Sequence, residues 1–153
     1  MRCVLLFLVL STFVFCDDVK IHKVLEDITG WSEADAKIMD SVADATADNK
    51  TGEADKQKYE MQLVAKHNDL WEKTLKFREK ATKVGKENKA ALSFIVDSVM
   101  KYAHATRHGG MKEDEASKKV IEDWDKLAKD VKAYLMKNFP ALQNISHFAK
   151  TSK

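Results

Sequence analysis

Little in this chain punctuates or staples it. It has one proline, five glycines and two cysteines in 153 residues. So few turn formers argue against a sandwich of many short strands and against a low-complexity chain. Two cysteines are too few for a disulfide-built scaffold of this length. A large excess of one charge sign is missing too, with 26 Lys+Arg against 24 Asp+Glu. A dedicated nucleic-acid binder shows a clear basic excess, so no nucleic-acid partner is expected. There is no Gly-rich phosphate loop, no nucleophile-elbow motif and no zinc-protease motif. Neither an enzyme nor a cofactor is expected.

What is present is unevenly distributed. Arg2 is the one charge before Asp17, and residues 4–15 are apolar except for Ser11 and Thr12. A short basic start and an apolar core of this length define a signal peptide over residues 1–16. The core falls short of the ~20 residues that span a bilayer, which speaks against a retained anchor. A bacterial lipoprotein signal places a small residue before its cysteine, whereas Phe15 precedes Cys16. Both cysteines lie in this segment. The mature chain, residues 17–153, is then expected to be secreted, extracellular and thiol-free, as one domain.

The mature part reads as all-α: a bundle of about six or more helices around an apolar core or a ligand cavity. Ile21, Val24, Leu25 and Ile28 recur at helical spacing, and Gly30 stops that helix. Ser32 and Asp35 form a capping box for the next, whose apolar face is Ile38, Met39 and Val42. Capping explains these two residues more simply than an acidic-directed kinase site does. A single long helix is predicted over residues 54–84, ending at Gly85. It carries two strips: Leu63, Leu70, Phe77 and Val84 on one, Val64, Trp71 and Leu75 on the other. Two strips make a face wide enough to touch more than one neighbour. Residues 87–105 are apolar nearly all round and predict a central helix. Residues 113–138 show a clear three–four repeat, stopped by Phe139 and Pro140. Leu142, Ile145 and Phe148 mark a short last helix, and no segment alternates as a strand does.

Few residues suggest chemistry. Carboxylates such as Glu113, Asp114 and Glu115 sit on lysine-rich faces, as solvated helix surfaces do. His104 and His108 are four apart, a spacing that sets two imidazoles on one side of a helix. Spacing offers no third ligand, and a helix C-terminus favours histidine without any metal, so no metal site is expected. His67 lies on an apolar strip as a packing residue. Asn49 and Asn144 each open a glycosylation sequon.

Several pieces taken in order resemble the nematode fatty-acid and retinol-binding family, small secreted helical lipid carriers. They are the opening Trp31-Ser32-Glu33-Ala34-Asp35, the helix around Leu70-Trp71-Glu72-Lys73 with Phe77-Arg78, and Asn88-Lys89-Ala90-Ala91 leading into Phe94-Ile95-Val96-Asp97. The Gly109-Gly110-Met111-Lys112 break follows, and then the helix closing on Lys137-Asn138-Phe139-Pro140. The chain is shorter than typical members after Phe139. The resemblance implies an all-α fold enclosing an apolar cavity, with fatty acids and retinol as partners and transient membrane contact for ligand transfer. Candidate lining residues are Leu63, Leu70, Phe77, Phe94, Ile95, Val99, Trp124, Leu127, Val131 and Tyr134. A fatty-acid carboxylate needs water or a cation at the mouth, and Lys66 and Arg78 border the long helix's apolar face. The alternative reading is a secreted helical antigen of the SXP type, with a filled core and a protein or metal partner. A lytic helix protein would carry strongly cationic polar faces, whereas Glu and Asp alternate with Lys here.

Overall fold

The computed structural model describes residues 20–46 and 52–151, with the side chains of 52–55 and 147–151 left aside. The expected signal peptide and Asn49 lie outside the described residues. Among those described, every regular element is helical and there is no strand. The chain forms an all-α bundle, as expected.

Local chemistry sets the first two helices. α1 (Ile21–Thr29) buries Ile21, Val24, Leu25 and Ile28 along one face. Gly30 ends it in the left-handed region at φ 77°, donating its N–H to Glu26 O at 2.7 Å. That conformation is costly for any residue with a Cβ. α2 (Glu33–Thr46) opens on the predicted box. Ser32 N donates to Asp35 Oδ2 at 2.9 Å, and Asp35 N donates to Ser32 Oγ at 3.1 Å.

The predicted long helix is two. α3 (Gly52–Lys66) and α4 (Asn68–Glu87) meet at His67, whose φ of −141° and ψ of 53° leave the helical region. His67 N closes α3 on Leu63 O at 2.8 Å, and its own carbonyl accepts from Trp71 N at 3.0 Å. Asn68 and Asp69 follow at once, residues better suited to a first turn than to a helix interior. Gly85 does not stop α4, which runs on to Glu87. It instead admits Leu92: a Cβ there would lie 2.7 Å from Leu92 Cδ2.

The central helix is built from α5 (Lys89–Ser93), a π-helical stretch (Phe94–Met100) and α6 (Lys101–Arg107) in succession. Asn88 caps it, its side chain accepting from Ala91 N at 3.0 Å. The π stretch turns Phe94, Ile95, Ser98 and Val99 inward. Ser98 Oγ donates to Asp123 Oδ2 at 2.8 Å, joined by Tyr102 Oη at 3.1 Å. Burial alone would raise the Asp123 carboxyl, but the hydrogen bonds from Lys126, Ser98 and Tyr102 outweigh it and hold the group below its ordinary value.

The predicted helix over 113–138 also breaks. α7 (Glu113–Lys126) and α8 (Lys129–Asn138) are separated by Leu127 and Ala128, both extended, with ψ of 144° and 154°. Lys132 Nζ fastens the corner by donating to Asp125 O at 3.0 Å. α9 (Leu142–Thr151) follows Pro140. The central helix packs against α1, α4, α7 and α8, while α2 packs on α3 and α9 on α7 and α8.

Candidate functional site

Eight of the ten residues expected to line a cavity are buried together in one core. They are Leu63, Leu70, Phe77, Phe94, Ile95, Val99, Trp124 and Val131. Two edge-to-face ring pairs fix this core: Phe94 with Trp124 at 5.5 Å and Phe77 with Trp31 at 5.1 Å between centroids. Leu127 and Tyr134 are partly buried and pack against its margin. Leu127 is at the margin because it falls in the α7–α8 corner. Tyr134 Oη turns outward and donates to Glu87 Oε2 at 2.7 Å. These residues touch one another, and none of them borders either of the two grooves described next.

The second strip behaves differently. Trp71 packs against the core, and the helix pair does meet α1, α2 and α5, but the rest of this strip is uncovered among the described residues. Met61, Val64 and Leu75 are exposed by 71%, 46% and 40%. Because α3 and α4 turn their other strip into the core, this one faces outward. Two open grooves run along it. One, of about 430 Å³, is lined by Gln57, Glu60, Met61, Val64 and Trp71. The other, of about 490 Å³, follows Leu75, Arg78, Glu79, Thr82, Lys83, Lys86 and Glu87 along α4. Both are shallow and largely open to solvent.

Trp71 and Arg78 stand between the grooves. The Arg78 guanidinium lies over the indole at 5.2 Å from its centroid, and Nη1 donates to Glu60 Oε1 at 2.8 Å. Arg78 is therefore committed to α3 and is not a free cation awaiting a carboxylate. Lys66, at the exposed end of α3, borders neither groove. Besides Arg78, the cations of the second groove are Lys83, 4.0 Å from Glu87 Oε1, and Lys86, neither of which sequence reasoning had singled out. Met61 was likewise missed, although its place three residues before Val64 put it on the same strip.

Elsewhere, the structure supplies what histidine spacing alone lacked. The His104 and His108 rings lie 4.1 Å apart at the end of α6. Asp40 of α2 faces them, with His108 Nε2 at 3.5 Å from its Oδ2. Arg107 Nε donates to the same oxygen at 2.8 Å. Burial would raise the Asp40 carboxyl, but the hydrogen bond and charge of Arg107 hold it below its ordinary value. No local pattern could have pointed to Asp40, which lies 67 residues before Arg107. Asn144 is exposed on α9 between buried Leu142 and Ile145, so its side chain is accessible.

Comparison with protein-family models, with curated proteins and with solved structures finds no match to this chain. Fold and site define the class: an all-α bundle with a buried apolar core and a grooved, partly exposed apolar strip on α3 and α4.

Proposed function

We propose that this chain is a secreted carrier of long-chain amphiphiles, fatty acids and retinol among them, and that it works by carriage rather than catalysis. The observation that carries the reading is the strip of exposed Met61, Val64 and Leu75 with half-buried Trp71 along two grooves, with Lys83 and Lys86 at one end. The ordered resemblance to the fatty-acid and retinol-binding family supports it independently. The apolar residues buried together, Leu63, Phe77, Phe94 and Trp124 among them, are those an internal cavity would use, and the exposed strip on α3 and α4 offers the acyl or isoprenoid chain a second seat on the outside. Each methylene taken from water contributes about 0.8 kcal/mol. A long chain thus reaches micromolar affinity after the costs of ordering. A carboxylate stays hydrated beside the two lysines. The same open strip suits transient contact with a membrane during ligand transfer.

The test is mass spectrometry of lipid extracted from the secreted protein, followed by rebinding to the delipidated chain. A stoichiometric fatty acid or retinoid that rebinds supports carriage. A lipid-free chain that also fails to take up oleate or retinol ends the reading.

A second reading is a secreted helical interaction protein of the SXP type, whose strip receives a protein partner. The exposed side chains of Met61, Val64 and Leu75 on one helix pair favour it, since a protein partner would cover them. A protein complex that survives delipidation, with no lipid uptake, would select it.

A further inference from the structure

We propose that Asp40, His104 and His108 bind a borderline divalent metal of the zinc class, clipping α2 to the C-terminal end of α6. One ligand atom from each of the three lies within 4.8 Å of the others. A tetrahedral zinc ion with ligands at 2.0–2.1 Å sets its donors about 3.3 Å apart. His108 Nε2 and Asp40 Oδ2 already stand at 3.5 Å. The remaining closure is about 1.5 Å at most, within reach of rotating two exposed imidazoles, whose terminal torsions are soft.

The donor set has the right chemistry. Two imidazoles and one carboxylate suit zinc and its neighbours, and poorly suit magnesium or calcium, which prefer oxygen. Water fills the fourth position. Arg107 acts as a positioning residue: its Nε fixes the Asp40 carboxylate, as outer partners of ligating carboxylates do. Its positive charge also weakens the site, so affinity is micromolar and not nanomolar. The carbonyl end of α6 offsets part of that charge. Since α2 otherwise packs mainly on α3, the ion would join two parts of the chain more than sixty residues apart. This inference does not rest on lipid carriage.

The experiment is calorimetric titration of zinc chloride into the full untagged chain after treatment with EDTA. One zinc per chain at micromolar Kd is expected, with no heat from magnesium. His104→Ala and His108→Ala should each weaken binding at least about tenfold. Both side chains are exposed, so these variants fold. Asp40→Asn should weaken binding too, and circular dichroism checks it because Arg107 loses an ionic partner. The imidazole proton resonances of His104 and His108 should shift on zinc addition. Absence of saturable binding below about 1 mM, or binding unchanged in both histidine variants, overturns the proposal.

Discussion

Arg78 lies 5.2 Å over the ring of Trp71 while its Nη1 holds Glu60 at 2.8 Å, so one guanidinium both covers an aromatic floor and ties α4 to α3. The arrangement forms the wall between the two grooves. Exposed cation–π contacts and ion pairs of this kind contribute about 1 kcal/mol or less. Arg78→Ala should therefore lower stability by under about 1 kcal/mol. Its larger effect should be on Trp71. Trp31 and Trp124 are buried, so the solvent-sensitive part of the emission belongs to Trp71 and should move to the red. A fluorescence spectrum with a denaturation curve checks both.

Adjacent residues in the π-helical stretch should respond oppositely to the same change. Ile95 is 1% exposed and Val96 is 44% exposed. Ile95→Asp buries an unpaired carboxylate and should cost more than about 4 kcal/mol or prevent folding. Val96→Asp should stay within about 0.5 kcal/mol of the parent. Urea unfolding followed by circular dichroism separates the two.

Asp35 predicts an acid-sensitive link between α2 and α4. Burial alone would raise its carboxyl, but the hydrogen bonds from Lys73, at 2.6 Å, and from Ser32 outweigh it and hold the group below its ordinary 3.8. A carboxyl depressed in the folded state stabilises fully above its unfolded value, and that stability disappears as pH falls through the folded value. Asp35→Asn keeps an acceptor for Ser32 but loses the charge. It should cost about 0.5–1 kcal/mol at pH 7, because Lys73 is partly exposed. The difference from the parent should shrink as pH falls below the unfolded value and vanish below the depressed folded one. Stability curves at pH 7, 4 and 2.5 would read this; a constant difference would contradict it.

Gly30 should resist substitution for a purely conformational reason. A Cβ there meets nothing within 4 Å, yet φ is +77°. Gly30→Ala should cost about 1 kcal/mol through backbone strain alone. The shift in Tm measures it, and Gly30→Asn should lose less, since Asn tolerates the left-handed region.

Much of the fold was legible because its punctuation is local. Gly30, the Ser32–Asp35 box, Gly109 at φ 70° and Pro140 each end or begin a helix through their own backbone chemistry. The breaks at His67 and at Leu127–Ala128 carry no glycine or proline. The Asn68-Asp69 pair was the available signal for the first, and the second depends on Lys132 reaching back to Asp125. Periodicity placed Leu63, Phe77 and Phe94 on inward faces correctly. It could not say what those faces enclose, because a packed core and a hollow one use the same side chains. It placed Val64, Trp71 and Leu75 on a second strip too, yet whether anything covers a strip is decided by helix arrangement. Asp40 was invisible for the same reason, since only the folded chain brings α2 beside the end of α6.

One titration tests lipid carriage most directly. A fluorescent fatty-acid analogue is added to the delipidated chain at micromolar concentration, alongside the double variant Met61→Asp, Leu75→Asp. The parent should show a saturable blue shift at one probe per chain, displaced by oleate. The variant changes two exposed residues, should fold normally, and should bind at least about tenfold more weakly. No blue shift with the parent chain would contradict lipid carriage. An equal shift in the variant would contradict the outer strip as its seat.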